Sequence, residues 1–242
     1  ALDGFQVIKD INLEDMAMET ANSAIKMLNS KYPKSGKYPV VIDNAFGGVI
    51  FHEACGHALE ATSVADNASV FCGKLGEKIA SDVVTAVDDG TIKNAWGSYN
   101  IDDEGNEAQR TVLIENGILK NYLVDELGSM KMNQKVTGSA RRESYKYPPT
   151  SRMRNTFIDK GNSSFEDLIS SIEYGLYAKK MGGGSVDPAT TDYNFAVSEG
   201  YLIENGKITE PVRGATLIGR GDETLMNIEA VSSNLELADG IC

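Results

Sequence analysis

Apolar positions fall into two registers along the chain, helical near its start and alternating later. Ala17, Ala21, Ala24, Ile25 and Leu28 mark one face of a 3.6-residue repeat. Asn12 precedes them with Asp15 three residues on, an N-cap pairing, so a helix is predicted from there to about Asn29. Lys31 to Lys37 is a polar loop, Tyr38 to Ile42 a short buried strand, and Asp43 to Gly48 a turn. Val49 to about Ala61 is apolar nearly all round, which predicts a buried helix.

Beyond it the pattern is mixed, with a helix expected around Val70 to Ala80, and from Asp82 it turns to β. A strand is expected over Val83 to Val87 with a turn at Asp88-Asp89-Gly90. Trp96 to Ile101 follows, and the acidic Asp102 to Gly105 reads as a solvated hairpin tip. Thr111 to Ile114 and Ile118 to Val124 flank Asn116-Gly117, the dipeptide that supplies the positive φ of a tight hairpin turn. Leu113 to Gly117 recurs as Leu202 to Gly206, which predicts two similar hairpins rather than a duplicated domain. Gly128 to Asn155 has little apolar periodicity and reads as a long loop. Its Arg141, Arg142, Arg152 and Arg154 are either solvated or a grip on a substrate carboxylate or a partner. Ser164 with Asp167 caps a helix expected to reach about Ala178. Gly182, Gly183 and Gly184 then either stop that helix or let a peptide backbone approach as an added strand. Strands are expected at Asn194 to Val197, Gly200 to Ile203 and Ile208 to Ile218, and a last helix from Asp222 or Glu223 to about Val231.

These elements predict an α+β fold, a mostly antiparallel sheet built from hairpins around one buried helix, with a few flanking helices. A single domain over 1–242 is expected, with 1–36 as a helical lead-in. Composition narrows the function classes. The net charge of −12 argues against a nucleic-acid partner. No run of 18 apolar residues exists to span a membrane, and Ala1-Leu2-Asp3-Gly4 lacks the basic and apolar regions of a signal peptide. Three cysteines suit a reducing compartment better than a disulfide framework.

The buried helix carries the chemistry. His52-Glu53-Ala54-Cys55-Gly56-His57 holds the chain's two histidines. His followed by Glu on an apolar helix, with a second His a turn later, is the pattern of zinc peptidases. The common spacing, i and i+4, puts the histidines about 40° apart, whereas i and i+5 puts them about 140° apart. One wide turn of about 4.4 residues brings that separation to about 50°. A π-type distortion is therefore predicted, with Gly56 as the point where the backbone yields. Such a helix must satisfy its polar groups, and a bound metal does so. Glu53 is the candidate general base, taking a proton from the attacking water and passing it to the leaving amine. Glu60, three residues after His57, is a candidate ligand or a carboxylate that fixes the imidazole. A third ligand is needed. Cys55 on the same helix should point elsewhere, which leaves Cys72 and Cys242 as freer candidates.

These stretches resemble the C-terminal half of the TldD/PmbA family of metalloproteases, in its TldD-like branch. The resemblance covers about residues 40 to 242. It rests on His52 to Glu60, Gly97-Ser98-Tyr99, Asp102 to Gly105, Arg152-Met153, Asn155-Thr156, Gly182 to Gly184, Glu199 to Ile208 and Arg213 to Gly219. It implies an H-E-x-x-x-H zinc site with His52 and His57 as ligands, Glu53 as the catalytic carboxylate and Cys242 in the place of the family's C-terminal cysteine ligand. It further implies hydrolysis of small or unfolded peptides, a cytoplasmic location, and a homodimer or a heterodimer with a paralogue. The family's N-terminal domain is not represented, so the chain reads as a fragment or a truncated homologue. The alternative is a non-catalytic, zinc-stabilised scaffold or a subunit of a heteromeric complex.

Overall fold

A computed structural model describes residues 4–240. Its strands are β1 (Val40–Ile42), β2 (Ala86–Asp89), β3 (Arg110–Glu115), β4 (Ile118–Leu119), β5 (Ala140–Arg141) and β6 (Thr150–Ser151). They continue as β7 (Asn155–Ile158), β8 (Tyr174–Val186), β9 (Asp192–Glu204), β10 (Lys207–Val212) and β11 (Ala215–Arg220). The fold is α+β with mainly antiparallel sheets. One sheet runs β1-β8-β9-β10, with β11 on the other half of β9, and a second runs β4-β3-β2-β7. The strand expected at Tyr38 to Ile42 forms as β1, but a hairpin scheme does not foresee its parallel pairing with β8 through Val40↔Leu176, Val41↔Tyr177 and Ile42↔Ala178.

Both Asn-Gly turns form as predicted. Asn116 and Gly117 have φ of 47° and 81°, and Asn205 and Gly206 of 50° and 72°. Along β9 the two-residue period buries Tyr193, Phe195, Val197 and Glu199 while the residues between face solvent. The motif helix lies between the two sheets. Phe51, Ala54, Cys55, Ala58 and Leu59 share one apolar cluster with Leu113, Ile114 and Leu119 of the second sheet and Leu176, Phe195 and Val197 of the first.

Several boundaries differ from expectation. No helix forms at 70–80, because Gly73 and Gly76 take φ of 72° and 85° and turn the chain back. The strand expected at Val83 to Val87 begins three residues later, so Asp88 and Asp89 belong to β2 rather than to a turn. The expected 128–155 loop contains a helix, Glu126–Met132, and the β5–β6 pair. The Asp102 turn is present with Asp103 and Gly105 exposed as expected, but Asp102 itself is buried, its carboxylate accepting backbone N–H bonds from Glu104, Asn106 and Ala140. The capping box at Ser164 forms, yet its helix stops at Ser170, and Gly182 to Gly184 lie inside β8 instead of ending a helix. The last helix is Gly221–Met226. The Leu13–Asn29 helix has its Asn12 cap but buries no residue.

Two carboxylates inside the fold are well satisfied. Asp88 pairs with Arg154 at 2.5 Å, both side chains being almost wholly buried. The Arg154 guanidinium also donates to the carbonyls of Gln109, Thr137 and Gly138 and to Thr111 Oγ1. Arg154 is thus a structural centre, neither solvated nor a grip on substrate. Glu199 accepts from Ser23 Oγ at 2.6 Å, Tyr201 Oη at 2.7 Å and Lys179 Nζ at 3.0 Å. Burial alone pushes its carboxyl up, but those three donors outweigh it and hold the group down at about 2.

Arg154→Ala leaves Asp88 buried without its counter-charge, and urea unfolding should show a loss of about 3–5 kcal/mol. Glu199 has a depressed folded value, so its stabilisation is complete above the ordinary glutamate range. It should be lost as pH falls from there toward about 2. Glu199→Gln should flatten that part of the stability–pH profile.

Candidate metal centre

The motif helix changes its winding at the histidines. Val49–Phe51 is α, His52–Gly56 is π, and His57–Leu59 is a 3-10 turn. The His57 N–H donates to the His52 carbonyl five residues back, which is the predicted wide turn. It turns the two imidazoles onto one side, with ring centroids 5.2 Å apart and planes at 89°. Ligand atoms of His52, Glu53 and His57 all lie within 4.8 Å of one another. Nitrogens on one tetrahedral zinc stand about 3.4 Å apart at Zn–N of about 2.1 Å, so the three groups are close to ligand spacing.

Gly56 is not where the backbone yields. Its φ of −59° and ψ of −49° suit any residue. The bare Cα is what admits Met153, since a Cβ there would lie 2.2 Å from Met153 Sδ. Gly221 has the same role on another side, since a Cβ on it would lie 2.2 Å from the Ala54 carbonyl oxygen.

His52 Nε2 is screened from solvent and has no hydrogen-bond partner. Among the described residues only Arg213 Nε shares that condition. Burial, aided by the positive charges of His57, Arg141 and Arg152, pulls the His52 imidazole down to about 4. It is therefore neutral at neutral pH and presents a lone pair, the form a metal takes. An orphaned buried nitrogen costs about 1–3 kcal/mol. A divalent metal bound by neutral imidazoles would remove that cost, so the donor set fits one.

Glu60 is not on the helical face expected of it, because its backbone is extended (φ −76°, ψ 137°). Its buried carboxylate nevertheless reaches back. Oε2 lies 3.2 Å from His57 Nδ1 and 3.4 Å from an Arg152 guanidinium nitrogen, and Oε1 accepts the Met153 N–H at 3.2 Å. Holding Nδ1 fixes the ring and leaves Nε2 on the side of Glu53. Glu53 Oε2 lies 3.7 Å from His57 Nε2, with a quarter of its side chain exposed. Cys55 is buried beside Gly221, and burial pushes its thiol up, so it stays out of the cluster. Cys72 donates to the Val64 carbonyl and is no part of it either. Cys242 lies outside the described residues. The tail leading toward it returns to the motif's lead-in, with Asn44 Nδ2 donating to the Asn234 carbonyl and Gly240 beside Phe46.

Residues 35–242 match the family model described as PmbA/TldA metallopeptidase C-terminal domain. The chain belongs to the TldD/PmbA family. It is 45% identical over 241 residues to a metalloprotease TldD homolog of Haemophilus influenzae, covering 98% of this chain and 50% of that protein. It is 36% identical over 220 residues to a zinc metalloprotease TldD homolog of Saccharolobus solfataricus, covering 90% of this chain and 49% of that protein. The crystal structure of TldE from Thermococcus kodakarensis shares the fold, with a TM-score of 0.79 at 24% identity, covering 93% of this chain and 51% of that one. The chain thus spans about half the length of the relatives it matches.

Met153, Gly221 and the Asp88–Arg154 pair carried little signal of their own in the sequence. Met153 enters only through the Arg152-Met153 stretch of the resemblance, while Arg154 reads as a loop residue and Asp88 as a turn residue. Glu60→Gln replaces the carboxylate that holds His57 Nδ1, and any affinity for a divalent metal, read by chelator competition, should fall about 10–100-fold while the fold persists.

Proposed function

We propose that this chain forms the catalytic centre of a zinc-dependent peptidase acting on small or unfolded peptides, with His52, His57 and Cys242 as the metal ligands. The observation that carries this reading is a His52 whose Nε2 is buried without a hydrogen-bond partner, on a residue that has a ligand atom within 4.8 Å of those of Glu53 and His57. When bound, the metal supplies Lewis-acid polarisation of the scissile carbonyl. Glu53 takes the proton of the attacking water and returns it to the leaving amine. Its partial exposure keeps it within reach of water, and it lies 3.7 Å from His57 Nε2, next to the nitrogen that would hold the metal. Glu60 keeps the His57 ring in one orientation throughout. The return of the tail to Phe46 supports Cys242 as third ligand. Membership of a metallopeptidase family, with one relative named a zinc metalloprotease, supports the activity and the choice of metal.

Substrate binding is proposed along β8. Its outer edge is paired with β1 only through Ala178, where β1 leaves toward the motif helix. From there to Val186 no strand among the described residues covers that edge. Gly182 and Gly183 put no side chain in the way of an extended peptide added there, and a Cβ on Gly183 would meet nothing within 4 Å. Arg152, partly exposed beside Glu60, is proposed to meet a carboxylate of the peptide. Cys55 and Cys72 are unpaired thiols, in keeping with the proposed cytoplasmic location. No helix among the described residues is long and apolar enough to cross a membrane. Assembly as a homodimer, or with a paralogue, is proposed on family resemblance.

Glu53→Gln should lower cleavage of unstructured peptides, followed by mass spectrometry, by at least about 100-fold with zinc content unchanged. Parent-level cleavage by that variant would refute the mechanism. Retained zinc with no cleavage by the parent would favour the zinc-stapled scaffold.

A further inference from the structure

The wide turn has a neighbour that the catalytic reading does not use. Met153 is 3% exposed and lies against the bare Cα of Gly56, the residue before His57. A Cβ at 56 would stand 2.2 Å from Met153 Sδ and 3.1 Å from its Cε, well inside the roughly 3.5–4.0 Å of ordinary contact. We propose that Met153 is a positioning residue, a wedge that fills the space a side chain at 56 would take and so holds the π turn that aims His57 at His52.

A methionine is pliable, and a free one would simply swing aside. This one has little room to do so, because its side chain is buried in the main apolar cluster and its backbone is tied down beside it. The Met153 N–H donates to Glu60 Oε1, and the same carboxylate holds His57 Nδ1 through its other oxygen. The Arg152 N–H donates to the Ser139 carbonyl at 2.9 Å, and the Arg154 N–H donates to Asp88 at 2.7 Å. The Arg154 side chain then ties into the buried Asp88 pair. One short segment, 152–154, therefore grips the metal helix twice, through the Glu60 carboxylate and through the Met153 thioether. The second sheet anchors it from behind. His57 is located by its own backbone bond to His52, by its ring's contact with Glu60 and by the wedge beneath Gly56. The importance of the wedge for metal binding rests on the proposed zinc site, but its geometry does not.

The test uses the metal-free chain, so that it stands whether or not zinc binds. Amide hydrogen exchange at the His57 N–H, which reports the bond to the His52 carbonyl, is measured by NMR. The proteins compared are the parent, Gly56→Ala, Met153→Ala, Met153→Leu and the double variant Gly56→Ala/Met153→Ala. Gly56→Ala should speed exchange at His57 by at least about tenfold relative to amides of the second sheet. Removing the methionine from that variant should restore protection to within about threefold of Met153→Ala alone, a coupling expected only of groups in contact. Met153→Leu, which keeps the bulk, should stay close to the parent. If Gly56→Ala fails to fold, a folded double variant supports the wedge and an unfolded one overturns it. Parent-like exchange in Gly56→Ala, or no recovery in the double variant, also overturns it. Zinc affinity across the same set separates the two claims. If the folded parent takes up no zinc, the metal reading fails while the exchange data still decide the wedge.

Discussion

One backbone hydrogen bond, from the His57 N–H to the His52 carbonyl, decides what the motif helix can do. A regular helix would leave these histidines about 140° apart and unable to share an ion. Closing the turn over five residues brings both rings to one side. The cost of the wider turn is met by close packing around it. Gly56 admits Met153, Gly221 admits the Ala54 carbonyl, and the apolar residues of the helix fill the space between two sheets. The wide turn is thus a product of tertiary structure, held by groups distant in sequence.

The buried polar groups divide by how completely they are satisfied. Asp88 and Arg154 exhaust each other's hydrogen-bonding capacity with help from neighbouring carbonyls and hydroxyls, and Glu199 has three donors. Such groups fix structure. His52 Nε2 differs, because it is equally shielded and has nothing to bond. Among the described residues only Arg213 Nε is likewise unpartnered, and His52 alone of the two sits in a cluster of groups able to hold a metal. That contrast, more than the presence of histidines, separates the proposed metal centre from a merely polar core.

Much of this was readable in the sequence where local chemistry governs. The H-E-x-x-x-H spacing required a wide turn on geometric grounds alone, and Asn-Gly located both hairpins. Readings failed where distant contacts outvoted local pattern. The stretch at Val70 to Ala80 looked helical, yet Gly73 and Gly76 are used at positive φ to bring the chain back beside β4. Gly182 to Gly184 looked like a helix stop, but pairing with β9 carries β8 straight through them. Arg154 looked solvated because its partner, Asp88, lies 66 residues away and had itself been read as a turn residue. Gly56 was singled out correctly for a reason that proved wrong, since its neighbour Met153 could not be seen without the fold.

The claim that this turn builds a metal centre is tested most directly by metal content. Inductively coupled plasma mass spectrometry on the purified chain and on its Cys242→Ser variant should give about one zinc per chain in the first and markedly less in the second. A well-folded parent chain that holds no zinc, even after zinc is supplied and excess removed, would contradict the account.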